Sequence, residues 1–422
     1  MEVTLRRAGP VDCTFTAPPS KSFTHRALVA ASLAEGTSTL VDPLESDDTA
    51  VTRRSLSSLG AVIGRTKGGY VVRGTGGVLT CAGGTVIDVG DSGTSMRLLA
   101  SIALLCGKPV VLTGSARMKE RPIGPLVHAL RALGGTVTYR ESEGFPPIVV
   151  SGGLAGGETT IDAQVSSQFV SSILLASPYA KEDVSISVLW KVASPSYIDI
   201  TLAVMDEFGV PVTREGYRHF TVPAGRRYRA KRYAIEGDYS SASYFFALAA
   251  LCRGRVRVKN LNPDSCQGDR AFLGYLREMG CGVRTGADCV EVSCEGDLRG
   301  IEADMSSSPD TVQTLCMVAA RAEGPTRITG VGHLRFKESD RLRETARLLS
   351  VLGGDAHVAG DEILINPCPL HGGTIDPGND HRTAMSFAVL GLAMGNVKIQ
   401  HAECVSKSFP GFWEQLACQG LV

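Results

Sequence analysis

The hydrophobic pattern of the chain repeats. Six times a short polar run gives way to an apolar stretch of about three helical turns, a break at small residues and a β-branched run. The first instance is PPSKSFTHRALVAASLAEGTSTLVDP and the last is GNDHRTAMSFAVLGLAMGNVKIQHA. The polar starts fall at Ser20, Ser92, Ser166, Ser240, Ser307 and Asn379. After each unit comes an amphipathic segment that stops on a glycine, at Gly60, Gly134, Gly209, Gly280, Gly353 and Gly420. These stops predict helices closed by a left-handed residue, a conformation that glycine adopts without steric cost. Paired β-branched runs around turn residues, as in AVIGRTKGGYVVRG, then predict a hairpin. Each unit therefore reads βαβαββ.

A period of about 70 residues is too long for a solenoid, whose repeats run to about 20–50 residues. Six such units predict an α/β protein of two globular domains with three units each. The first domain is expected over residues 18–235 and the second over 236–422, with the hinge in GRRYRAKRYAIEGD. The N-terminal strand, residues 1–17, is expected to cross to the second domain and make the connection double. Composition narrows the function. The 422 residues carry 43 Lys+Arg against 43 Asp+Glu, so no broad basic surface for nucleic acid or anionic lipid is available, and any cationic site must be local. The 12 cysteines show neither CxxC nor zinc-ligand spacing, which points to reduced thiols and a cytoplasmic protein. The start MEVTLRRAGPVDC has no apolar signal core, and the longest apolar run, Ala242 to Cys252, is too short to span a bilayer. P-loop, nucleophile-elbow and HExxH motifs are absent, so no metal site is expected.

The position of the polar runs carries the functional signal. Each sits where a strand hands over to a helix, so free backbone N–H groups and the positive end of the helix dipole face the same way, as anion sites require. N-capping alone accounts for Ser, Asp and Asn at a single such place. Cations at equivalent places argue for more: Lys21, Arg26, Arg97, Arg382 and Lys407 by the first helices of their units, and Arg121, Lys337 and Arg341 at second-helix starts. They suit carboxylate and phosphate groups. Asp310, Glu338 and Asp380 stand among them as candidates for proton transfer, against the plainer readings of helix-start charge and ion pairing.

Ten motifs in order, PPSKSFTHRAL, GDSGTSMRLL, RMKERPIGPLVHAL, SSQFVSSILL, SPSYIDITL, GDYSSASYFF, SSSPDTVQT, FKESDRL, GNDHRTAMSFAVL and KSFPGFWEQL, resemble the enolpyruvyl transferase family over essentially the whole chain. The resemblance implies two domains arranged as an inside-out α/β barrel. It implies transfer of the carboxyvinyl group of phosphoenolpyruvate to the 5-hydroxyl of shikimate 3-phosphate, on the shikimate route to chorismate and the aromatic amino acids. It further implies a cytoplasmic monomer with small-molecule substrates and no cofactor, nucleic acid or membrane partner. By residue match, Asp310 takes up the hydroxyl proton, Glu338 protonates the methylene carbon and Lys21 assists. Lys21, Ser22, Arg26, Ser166, Ser167, Ser194, Tyr197, Asp310, His333 and Lys337 match the shikimate 3-phosphate shell. Lys21, Asp91, Gly93, Thr94, Arg121, Gln168, Arg341, Arg382 and Lys407 match the phosphoenolpyruvate shell.

Three positions depart from the common pattern. Asp91 stands where many members carry Asn, which suggests pairing with Arg97 or Arg121; His333 stands where some use Asn; and no cation lies between Ser194 and Tyr197. Two rivals remain. The sister transferase acting on a UDP-amino sugar typically has a cysteine before its Arg-Pro dipeptide, whereas this loop reads LTGSARMKERP. A nonenzymatic anion-binding protein, or one processing RNA ends, would have no need of both Asp310 and Glu338.

Overall fold

The computed structural model describes residues 1–422, which form two compact units: residues 19–235, and residues 1–18 with 236–422.

The 19–235 unit contains helices α1 (Lys21–Leu33), α2 (Asp47–Ser58), α3 (Gly93–Leu104), α4 (Ala116–Lys119), α5 (Gly124–Ala132), α6 (Gln168–Ala176) and α7 (Ser196–Glu207). α3 and α1 both pack on α6, and all three are buried almost all round, which is why their sequences read as continuous apolar runs rather than stripes. The hydroxyls among them satisfy one another: Ser101 Oγ lies 2.6 Å from Ser172 Oγ, and Ser172 donates to the carbonyl of Arg97. Three four-stranded sheets share one plan. In the middle one, Thr85–Asp88 runs parallel to Val110–Thr113, which pairs antiparallel with Ile148–Ser151 and through it with Thr136–Tyr139.

The second unit contains α8 (Tyr239–Leu251), α9 (Phe272–Glu278), α10 (Val312–Ala319), α11 (Arg341–Val351), α12 (His381–Met394) and α13 (Phe412–Cys418). α8, α10 and α12 pack against one another, with Thr314 Oγ1 lying 3.2 Å from Ser243 Oγ and 3.5 Å from Ser386 Oγ. Every residue of α8 is buried.

The sheets exchange strands. Asp12–Thr16, just before α1 in sequence, runs parallel to Arg255–Lys259 in the second unit, in the place the plan reserves for a first strand. Arg232–Ala234, just before α8, fills that place beside Thr37–Val41 in the 19–235 unit. The sixth repeat ends before its hairpin, and Val3–Leu5 pairs antiparallel with Val397–Ile399 instead. The six glycines after the second helices all have positive φ, between 69° and 108°, as their spacing predicts.

One expectation fails. The cysteine spacing points to reduced thiols, but Cys81 and Cys106 form a disulfide, their Cα atoms 6.5 Å apart. The loop before Thr85 returns to the end of α3, a proximity that a separation of 25 residues does not signal. The other ten cysteines form no disulfide. No helix is long and apolar enough to cross a membrane.

Candidate active site

In the 19–235 unit the first turns of the three buried helices carry the expected anion ligands. Lys21 opens α1, and its Nζ lies 3.0 Å from Asp48 Oδ2 in the first turn of α2, so the ammonium is held in one place. Arg26 is 1% exposed. Its guanidinium donates to Thr201 Oγ1 at 2.7 Å, to the carbonyls of Ser22 and Tyr197 at 2.9 and 3.0 Å, and to Ser171 Oγ at 3.4 Å. It thereby ties α1 to α6 and α7 and fixes the backbone of two other expected ligands. Ser194 is held at φ 57°, a left-handed conformation that costs a non-glycine residue about 1–2 kcal/mol, immediately before the first turn of α7, where Tyr197 N donates to its carbonyl.

At the start of α6, Ser166 Oγ accepts from Gln168 N, and Ser167 is buried beside it. Gln168 Nε2 donates to Thr94 Oγ1 at 3.0 Å, which joins the first turns of α6 and α3. Asp91 accepts a hydrogen bond from Ser115, and Arg121 donates to the Asp91 carbonyl at 3.5 Å. Arg97 donates to the carbonyls of Gly93 and Pro122, at 3.3 and 3.2 Å. Gly93, the first residue of α3, leaves room for Arg121: a Cβ there would stand 2.5 Å from one guanidinium nitrogen and 2.6 Å from the other.

In the second unit five expected residues converge in one ionic network. Arg341 opens α11 and is 2% exposed. It donates from Nε to Asp380 Oδ2 at 2.9 Å, from one terminal nitrogen to Glu338 Oε2 at 2.7 Å and Asp380 Oδ1 at 3.2 Å, and from the other to Asp310 Oδ1 at 3.4 Å. Burial works against its charge, but Asp380, Glu338 and Asp310 more than offset that and raise its pKa. Arg382, in the first turn of α12, donates to Asp310 Oδ2 at 2.6 Å, to the Asp310 carbonyl at 3.1 Å and to the Tyr244 hydroxyl at 3.3 Å. Asp310 thus stands between two guanidinium groups, and Glu338 shares one of them. Asp380, the N-cap of α12, also accepts from Ser339 at 2.9 Å.

His333 ends up neutral: burial first, then the charge of Lys337, pushes its pKa down to about 3. It can therefore hydrogen-bond but not supply a positive charge. Lys407 closes the short turn Ala402–Lys407, which packs on α12. Sequence reasoning missed Asp48, Thr201 and Tyr244, which orient Lys21, Arg26 and Arg382. Asp48 read as an ordinary helix-start charge, and the other two lie inside apolar helix patterns.

Repeated βαβαββ units whose helix starts present cations and carboxylates together define an enolpyruvyl transferase type of fold. A model of the EPSP synthase (3-phosphoshikimate 1-carboxyvinyltransferase) family matches residues 5–416. The chain is 57% identical to the 3-phosphoshikimate 1-carboxyvinyltransferase of Methanosphaerula palustris over the full length of both. It is 41% identical to that of Serratia proteamaculans, over 98% of each chain. The solved EPSP synthase of Acinetobacter baumannii superposes with a TM-score of 0.82 at 29% identity, covering 100% of this chain and 98% of that one. The chain belongs to the EPSP synthase family and is a transferase of the shikimate pathway.

Proposed function

We propose that Asp310 and Glu338 are the acid–base pair with which this chain transfers the enolpyruvyl group of phosphoenolpyruvate to the 5-hydroxyl of shikimate 3-phosphate. The observation that carries this is Asp310 held between Arg341 and Arg382 with Glu338 on the same Arg341. Glu338 adds a proton to the methylene carbon, and positive charge develops at C2 of phosphoenolpyruvate. The 5-hydroxyl attacks that carbon as Asp310 takes its proton. Glu338 then takes a proton back from the new methyl group as the C–O bond to phosphate breaks, which restores the vinyl group, and the proton on Asp310 departs with the phosphate. Lys21, Arg121, Arg341, Arg382 and Lys407 balance the carboxylate and phosphate charges, aided by the helix starts of α3 and α6. Ser22, Ser166, Ser167, Ser194, Tyr197, His333 and Lys337 hold the shikimate ring and its phosphate. Substrates this small, charged and water-soluble support a cytosolic enzyme, and the family resemblance supports a monomer.

Purified protein is expected to release inorganic phosphate from phosphoenolpyruvate only when shikimate 3-phosphate is present. Equal turnover with a UDP-amino sugar, or none with either acceptor, would sink the reading. A second test concerns α3. In Gly93→Ala the new methyl group displaces the Arg121 guanidinium, the mobile end of a side chain, so the fold should tolerate it. The KM for phosphoenolpyruvate should rise by about tenfold, equivalent to about 1.4 kcal/mol of lost binding, with the KM for shikimate 3-phosphate little changed. Equal rises in both KM values would place Arg121 outside the phosphoenolpyruvate shell.

A further inference from the structure

Asp269 is a carboxyl group for which the proposed chemistry has no use, yet it lies buried beside it. It occupies the turn Gly268–Ala271, which packs on α8 and on the turn Pro309–Thr311 that carries Asp310. It is 5% exposed, and Ser240 in the first turn of α8 donates to its Oδ2 at 2.5 Å. Charged and titratable groups act on it from several elements. Asp238 caps α8, Asp310 comes from the neighbouring turn, Arg382 comes from α12 with the Tyr244 phenol behind it, Tyr275 comes from α9, and Arg270 is next in sequence. Arg382, already committed to Asp310, is a cation that acts on both carboxyl groups. Arg341 is shared among Asp310, Glu338 and Asp380, so an ionised Asp269 would add negative charge with no further cation to match it, where an anionic substrate has to bind.

We infer that Asp269 is a positioning residue for this reaction: as a neutral carboxylic acid it keeps Ser240 and the Asp310–Arg382 pair in the arrangement that binds anions, and when ionised it weakens that binding. The inference rests on the reading that Arg382 holds phosphoenolpyruvate. Burial first, and then the charge of Asp310, pushes the pKa of Asp269 up to about 7, while Arg382 and the Ser240 hydrogen bond pull the other way. The sign follows. Below that pH the acid form prevails and binding is undisturbed; above it the carboxylate competes for Arg382 and repels the substrate.

The test is the KM for phosphoenolpyruvate measured from about pH 6 to about pH 9 in wild type, Asp269→Asn and Ser240→Ala. In wild type KM should climb about tenfold per pH unit above the break. Asn mimics the neutral acid, so the Asp269→Asn curve should stay flat, converging with wild type toward pH 6 and lying about tenfold below it at pH 8. Ser240→Ala removes a hydrogen bond that favours ionisation, so its break should move to higher pH. Parallel curves for wild type and Asp269→Asn would overturn the inference, whatever happens to thermal stability, because a purely structural role leaves the slope intact. Absence of turnover in wild type at every pH would overturn the underlying reading, and this inference with it.

Discussion

Asp310→Asn should lower kcat by about 10²–10⁴-fold, the range for loss of a positioned proton acceptor, without raising either KM. The direction of the KM effect follows from the charges around the residue. In the wild type the Asp310 carboxylate neutralises part of Arg341 and Arg382, at 3.4 and 2.6 Å. Asn keeps the shape and gives up the charge, so both guanidinium groups become more available to an anionic substrate. Ground-state binding therefore holds or tightens while the chemical step slows, a combination that a structural defect does not produce. Steady-state kinetics with both substrates varied would decide it. An unchanged kcat with higher KM values would make Asp310 a binding group, and the acceptor would have to be sought elsewhere.

The repeat was legible because it is written twice over. Helices buried on all sides, such as α8, leave uninterrupted apolar runs, and the helix that follows each must end on a left-handed residue, so Gly60 and its five counterparts recur in phase. Strand exchange was half legible. Asp12–Thr16 alternates exposed and buried residues as a strand should, but Arg232–Ala234 is three residues long and largely exposed, with no pattern to announce a partner 193 residues away. The Cys81–Cys106 bond was invisible because its half-cystines belong to segments joined only by the return of the chain. The cations stood out by their place at helix starts. Their orienting groups did not: Asp48, Thr201 and Asp269 are ordinary residues in sequence, and burial beside a charge is what gives them their part.

Arg341→Met is expected to destabilise the protein by about 3–5 kcal/mol, the effect of removing one partner from a buried ionic network. Met matches the length of the aliphatic stem, so packing is largely kept and the loss is electrostatic. Three carboxylates lose a donor, and they are not equivalent. Glu338 and Asp310 remain 13% and 18% exposed and can be solvated, and Asp310 keeps Arg382. Asp380 is fully buried, receives two hydrogen bonds from Arg341, and would retain those from Ser339 and the Arg382 backbone. Most of the cost should therefore sit on Asp380. Urea unfolding of Arg341→Met, Asp380→Asn and the double variant separates the contributions: the double variant should be more stable than Arg341→Met, because the buried charge has gone along with its partner. If the double variant lost the sum of the two single effects, the 2.9 Å contact would carry no coupling, and Arg341 would have to be described by its contacts to Glu338 and Asp310 alone.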